Sequence, residues 1–312
     1  MLTITLNPSI DIRYSIDNFQ IGCVHRTKDF AYTPGGKGIN VTKVITQLKE
    51  KVYATGFLGG SSGHFIRTKL DELKIAHQFI DIKGNTRQCI AILSNDNSQT
   101  EILEPGPIIS NNEFLMFLKL YEALLTEVDI ICASGSIPRG LPIDIYKMLI
   151  DKARLSGKKF LLDTSGEALQ LGIEAKPYLI KPNKEELETL IGKKLTSEND
   201  IISSVKPLLD KGINIVVVSL GGEGALAFHD KTMYKAIIPQ VKVMNPVGSG
   251  DSMLAGFAVG LKRNYSMEKI VKLATACGTA NAMEKETGKI NLDNVKMLID
   301  KTKILVKEID TE

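Results

Sequence analysis

Residues 248–251 read Gly-Ser-Gly-Asp, and the apolar spacing after them predicts a helix from about Ser249 to Leu261. The unpaired N–H groups of a helix start, with the helix dipole behind them, form an anion site. Gly248, Ser249 and Gly250 would let a phosphate come close to that backbone. Asp251 falls in the first turn. Alone, an aspartate there reads as a carboxylate that complements the dipole. Directly after a glycine-rich anion hole it also reads as a base beside a transferring phosphoryl group, which phosphotransfer to a hydroxyl needs. A second cluster, Gly35, Gly36, Lys37 and Gly38, opens another predicted helix whose Val41, Val44, Ile45 and Leu48 share a face. Glycine costs about 1 kcal/mol inside a helix, so close approach to the backbone is expected there.

Other nucleotide and metal motifs fail. Lys37, Lys158, Lys193 and Lys289 each follow glycine but none precedes Ser or Thr, which excludes a Walker P-loop. "GSGDSM" misses its last glycine, so the dinucleotide fingerprint is lost. His25, His64, His77 and His229 show no zinc-ligand spacing. Cys23, Cys89, Cys132 and Cys277 form no CxxC pair and read as small reduced core residues of a cytosolic protein.

The elements that must position these clusters alternate between strand and helix. Strand patterns at 52–59, 129–136, 159–163, 178–181 and 213–221 are interleaved with helical ones near 63–74, 111–128, 142–156, 184–191 and 198–211. Buried apolar strands alternating with helices imply a mostly parallel, doubly wound sheet, which binds ligands at the carboxyl ends of its strands. Residues 10–34 and 80–104 break the rhythm with β-like segments and no helix between them. They read as a small extra sheet, a lid, whose uncovered edges make a partner subunit plausible; irregular surface hairpins are the other reading. The 312 residues, 43% hydrophobic, suffice for a large core in one or two domains. Net charge is +3 with both signs mixed, which argues against an extended nucleic-acid footprint. No apolar run reaches membrane-spanning length, and "MLTITLNPSID" has no signal-peptide pattern, so a cytoplasmic location is expected.

"GGKGIN" (35–40) and "NPVGSGDSMLAGF" (245–257) resemble the two signatures of the phosphofructokinase B family, the ribokinase-like carbohydrate kinases. Between them "TR" (86–87), "SGSIPRG" (134–140), "KPNKEE" (181–186) and "SLGGEGA" (219–225) follow in the family's order. "TLNPSID" (5–11), "TRQCIAIL" (86–93) and "NPVGSGD" look like the tagatose-6-phosphate kinases and 1-phosphofructokinases within it. The resemblance implies one three-layer α/β/α kinase domain over 1–312, with a mostly parallel central sheet and a β-lid. It implies ATP and Mg²⁺ as cofactors, and a homodimer formed through the lid.

The resemblance also implies roles. Asp251 would be the catalytic base and Gly248, Ser249 and Gly250 the hole for phosphate charge. Lys181, Asn183, Ser219, Gly221, Gly224, Gly248 and Asn281 would face the nucleotide. Asn183 and Glu186 match the NxxE motif that places magnesium through water, although both also suit a helix cap. Asp11, Asn40 and the Gly35–Gly36 backbone would hold sugar hydroxyls. Lys37 could meet an anionic substituent. Arg87 would clamp a sugar phosphate, with Ser136 beside it, and Arg26 and Lys43 are further candidates. The expected activity is ATP-dependent phosphorylation of a ketohexose monophosphate to its 1,6-bisphosphate, with tagatose-6-phosphate first and fructose-1-phosphate the near alternative. A catalytically silent sugar-phosphate sensor is the rival from another class; retention of Asp251 with its glycines argues against it.

Overall fold

The computed structural model describes residues 1–94 and 98–309. In chain order the elements are β1 (Leu2–Thr5), β2 (Ser9–Ser15), β3 (Phe30–Gly35), α1 (Lys37–Gln47), β4 (Tyr53–Leu58), α2 (Gly60–Glu72), β5 (Ala76–Asp81), β6 (Arg87–Leu93) and β7 (Gln99–Leu103). Then come α3 (Asn111–Leu125), β8 (Ile130–Ser134), α4 (Ile145–Leu155), β9 (Lys159–Asp163), α5 (Gly166–Glu174), β10 (Leu179–Ile180), α6 (Lys184–Ile191) and α7 (Glu198–Asp210). The chain finishes with β11 (Ile215–Ser219), β12 (Ala225–His229), β13 (Thr232–Ile237), α8 (Ser249–Lys262), α9 (Met267–Ala282), α10 (Leu292–Lys301) and β14 (Lys303–Glu308).

Ten strands form one sheet in the order β14-β13-β12-β11-β10-β9-β8-β1-β4-β5. From β11 to β5 all pairs are parallel, whereas β11 to β14 pair antiparallel. Side chains of a strand alternate between faces, and the buried strands use both. On β8, Ile131 and Ala133 enter the core with Phe117, Tyr121 and Tyr146, while Ile130 and Cys132 enter the core with Phe257 and Val271. Hence α3 to α7 cover one face and α1, α8, α9 and α10 the other. Capping boxes start α3 at Ser110/Glu113, α6 at Asn183/Glu186 and α7 at Ser197/Asp200.

The second sheet has the order β3-β2-β6-β7. It packs over α2 through Ile10, Ile12, Ile66 and Leu70. Its strands begin at Ser9 and Arg87, so residues 80 and 81, expected in this sheet, instead end β5 of the large one, where Ile80 pairs with Phe57. The large sheet is mostly parallel as expected, with an antiparallel end in which β13 and β14, whose apolar runs are short, were not read from the sequence. All four cysteines are free. Cys132 and Cys277 are buried, which pushes each thiol up to about 12. Cys89 is half-buried, and Cys23 is exposed, not in a core, because the turn between β2 and β3 that carries it lies on the surface.

Candidate active site

The large sheet changes direction between β1 and β8, from which the chain winds outward to β5 on one side and β11 on the other. Crevices at the carboxyl ends of strands open at such a point. Here the small sheet roofs it, leaving a cleft of about 420 Å³. Asp163 closes β9, Ser219 closes β11, and Lys181 follows β10, so the strand ends themselves supply the floor.

Asp251 stands at the centre. It lies in the first turn of α8 and is buried among α1 and β9 groups. Burial pushes its carboxyl up to about 6; Lys37, Asn40 and Lys181 oppose the rise and Asp163 reinforces it. Asn40 Nδ2 donates to Asp251 Oδ2 at 2.9 Å, fixing the carboxylate. Gly248 caps α8 with φ 83°, a left-handed conformation that glycine adopts without strain. Gly248 and Gly250, at this helix start, line the cleft wall. Ser249 Oγ is buried there without a partner.

At the floor, Lys37 Nζ lies 3.6 Å from Asp163 Oδ1 and Lys181 Nζ lies 3.2 Å from Asp163 Oδ2. The Asp163 charge holds Lys37 well above the usual lysine range. Burial works to raise Asp163, but Lys181 and Lys37 outweigh it and keep the carboxyl low. A lone acid at a strand end carries no local pattern, and sequence reasoning missed Asp163; its position at the carboxyl end of a buried parallel strand was the available signal. Asn245 and the Lys285–Thr287 turn, also unread in the sequence, line the cleft.

The small sheet contributes the other side. Asp11 on β2 faces the cleft; burial raises its carboxyl, against the Ser9 hydroxyl that donates to it at 2.7 Å and the charges of Lys43 and Arg87. A Cβ on Gly35 would overlap the Asp11 carboxyl group. The glycine therefore makes room first for Asp11, whereas Gly36 lines the cleft itself. Arg87 opens β6 and lines the cleft. Its Nε and Nη2 donate to the Asn7 carbonyl at 3.3 and 3.1 Å and its Nη1 to Glu104 O at 2.9 Å. Three of its five N–H groups are thus used by backbone. Ser136 stays outside the cleft and accepts from Asn7 Nδ2 at 3.1 Å.

The remaining predicted residues divide. Asn183 and Ser219 are joined by a parallel bridge and both line the cleft. Gly221 opens on a neighbouring cavity, while Gly224 is turned against the Ala236 carbonyl of β13. Asn281 is buried behind the start of α8 and does not line the cleft. Its Nδ2 donates to Val247 O at 2.8 Å, and its Oδ1 accepts from Ser252 Oγ at 3.1 Å and Gly288 N at 2.8 Å. Lys43 holds loops together, its Nζ donating to Thr287 O at 2.6 Å and Pro34 O at 3.3 Å. Arg26 is exposed in the turn between β2 and β3.

Among the described residues, no three His, Cys, Asp or Glu side chains are arranged to hold a metal. Glu186 Oε2 accepts the Asn183 N–H at 2.8 Å in the capping box. Glu186 nonetheless lines the cleft, so one half-buried carboxylate faces it beside an amide. That donor set fits a hydrated cation carried on nucleotide phosphates, and does not fit a cage of protein ligands. No helix among the described residues is long and apolar enough to cross a membrane.

Comparison with known proteins agrees with this geometry. The family model for the pfkB family carbohydrate kinases matches residues 5–294. A candidate phosphofructokinase from Staphylococcus aureus is 35% identical, with 99% of each chain covered and a TM-score of 0.85. Phosphofructokinase-2 from Escherichia coli, in complex with fructose-6-phosphate, is 28% identical over 96% of this chain and 98% of that one, with a TM-score of 0.88. A candidate 1-phosphofructokinase from Thermotoga maritima is 26% identical, with 99% of each chain covered and a TM-score of 0.90.

Proposed function

Since the chain belongs to the pfkB family of carbohydrate kinases, we propose that it transfers the γ-phosphoryl group of ATP to a free hydroxymethyl group of a ketohexose monophosphate. The first choice of acceptor is tagatose-6-phosphate, giving the 1,6-bisphosphate. The observation that carries the reading is the pairing of a buried Asp251, raised to about 6, with the α8 N-terminus. A base titrating near the working pH suits removal of a hydroxyl proton, and the amides of Gly248, Ser249 and Gly250 receive the charge that develops on the transferred group. Asp11 and Asn40 bind the ring hydroxyls. Arg87, with two N–H groups uncommitted, binds the phosphate the acceptor already carries. Lys181, Asn183 and Ser219 line the nucleotide end, and Gly221 marks where the neighbouring cavity continues it. Magnesium held through water by Asn183 and Glu186 would neutralise the nucleotide phosphates.

A fructose phosphate is the second reading, favoured by neighbours named as phosphofructokinases, one of them bound to fructose-6-phosphate. Initial rates on tagatose-6-phosphate, fructose-1-phosphate, fructose-6-phosphate and the free sugars test both. Activity is expected on more than one phosphosugar, with kcat/KM values within about 10³ of each other, and free sugars should be far poorer. Fastest turnover of a free sugar or a nucleoside would refute the phosphosugar assignment.

A further inference from the structure

One acid on the cleft floor has no part in the transfer chemistry described above. Asp163 is 1% exposed, and apart from two lysines neither of its carboxylate oxygens has a partner. What compensates the buried charge is a pair of ammonium groups, Lys37 from the first turn of α1 and Lys181 from beyond β10. An ionised carboxylate is expensive to bury without such partners. An ammonium group has three donors, so its contact with Asp163 leaves each lysine with N–H groups for an anion in the cleft. Lys181 also stands against the anion hole, its Nζ 3.1 Å from where a Gly250 Cβ would lie.

We propose that Asp163 is a positioning residue for phosphoryl transfer, holding the Lys37 and Lys181 ammonium groups beside Asp251 and the α8 N-terminus so that both bear on the transferring group. The inference rests on the transfer reading above. One carboxylate between two lysines leaves a net positive charge opposite the single negative charge of Asp251, which suits a centre through which an anionic phosphoryl group passes. The charged and polar groups facing Asp251 are Lys37, Asn40 and Lys43 on α1, Asp163 on β9 and Lys181 after β10. Glu186 on α6 and Lys285 and Glu286 after α9 line the same cleft.

The test is a pH–rate profile of three variants. Asp163→Asn should lower kcat at least tenfold, with KM for phosphosugar and ATP changed less than threefold. It should also move the acid limb of kcat/KM to lower pH, because Asp251 loses an anionic neighbour. Lys37→Met should move that limb to higher pH. In the double variant the loss in kcat should be smaller than the product of the two single losses. Multiplicative losses, or acid limbs that stay at the wild-type position, would overturn the proposal. Should Asp163→Asn fail to fold, Asp163→Glu takes its place, a displaced carboxylate that lowers kcat at little-changed KM supporting the proposal and wild-type kcat refuting it. A wild-type protein inactive on every acceptor refutes the transfer reading and this proposal with it; an active wild type with unaffected variants refutes this proposal alone.

Discussion

Asp251→Asn should make the protein more stable while it destroys turnover. The carboxyl moves from 3.8 to about 6 on folding, chiefly through burial. At about 1.4 kcal/mol for each tenfold change, that corresponds to about 3 kcal/mol by which the ionised carboxylate weighs against the fold. The sign follows from linkage. The folded-state value lies above the unfolded one, so the stability contributed by the protonated form is present below about pH 3.8 and lost as pH rises through about 6. Asparagine mimics the neutral form, and its carbonyl oxygen can still accept the Asn40 Nδ2 donation seen at 2.9 Å. Thermal unfolding should therefore show the variant more stable near neutral pH by up to about 3 kcal/mol, a shift of several degrees. The gain should vanish near pH 4, where the wild-type carboxyl is already protonated in the fold. The same variant should lose about 10²–10⁴-fold in kcat, the range for removing a general base. Wild-type kcat/KM should fall about tenfold per pH unit below about 6. A variant no more stable at neutral pH, or one whose gain persists undiminished in acid, would refute the argument that Asp251 is held at a desolvation cost.

Two further outcomes are expected. Arg87→Ala should raise KM for the sugar phosphate far more than KM for ATP, by about 1.5–3 kcal/mol for a charge-assisted contact, and equal effects on both substrates in steady-state kinetics would make Arg87 a tether of Asn7 and Glu104 only. The small sheet exposes Phe30, Tyr32 and Ile102 on one face, each more than 40% exposed; sedimentation should show a dimer that Tyr32→Asp weakens, and a fully active monomer at micromolar concentration would contradict a subunit interface there.

The legible parts of the sequence were those in which local pattern and tertiary role coincide. Gly248 to Asp251 announced a helix start, and α8 runs from Ser249 as the spacing requires. The parallel strands were legible because both faces are buried, giving runs such as "KFLLD" and "IVVVS". Asn183 and Glu186 matched two descriptions, a helix cap and a cleft motif, and the structure has them in a capping box that borders the cleft. Asp163 was not legible, because its meaning comes from two lysines that only the sheet order brings to it. Nor was β14, a short Ile304–Val306 apolar run flanked by charges, which lies at the sheet edge and pairs only with β13. Asn281 was read as facing the nucleotide, yet its amide is consumed by the loops behind the start of α8, a distinction that motif order does not encode.

The division of the cleft between two sheets has an evolutionary consequence. Thr33, Cys89, Ala91 and Leu103 reach the cleft from the small sheet, whereas Asp163, Lys181, Ser219 and Asp251 come from the large sheet and its helices. On the proposed reading, mutations that reshape the acceptor pocket can thus accumulate on four strands that pack mainly on α2, without disturbing the strand ends assigned to the nucleotide. Under that proposal a lineage could change its sugar by drift on one sheet while its phosphoryl donor stays fixed by the other. Swapping the small sheet between relatives, with β2 kept in register with Gly35 and Arg87 through Ser9, is accordingly the natural route to new acceptor preferences.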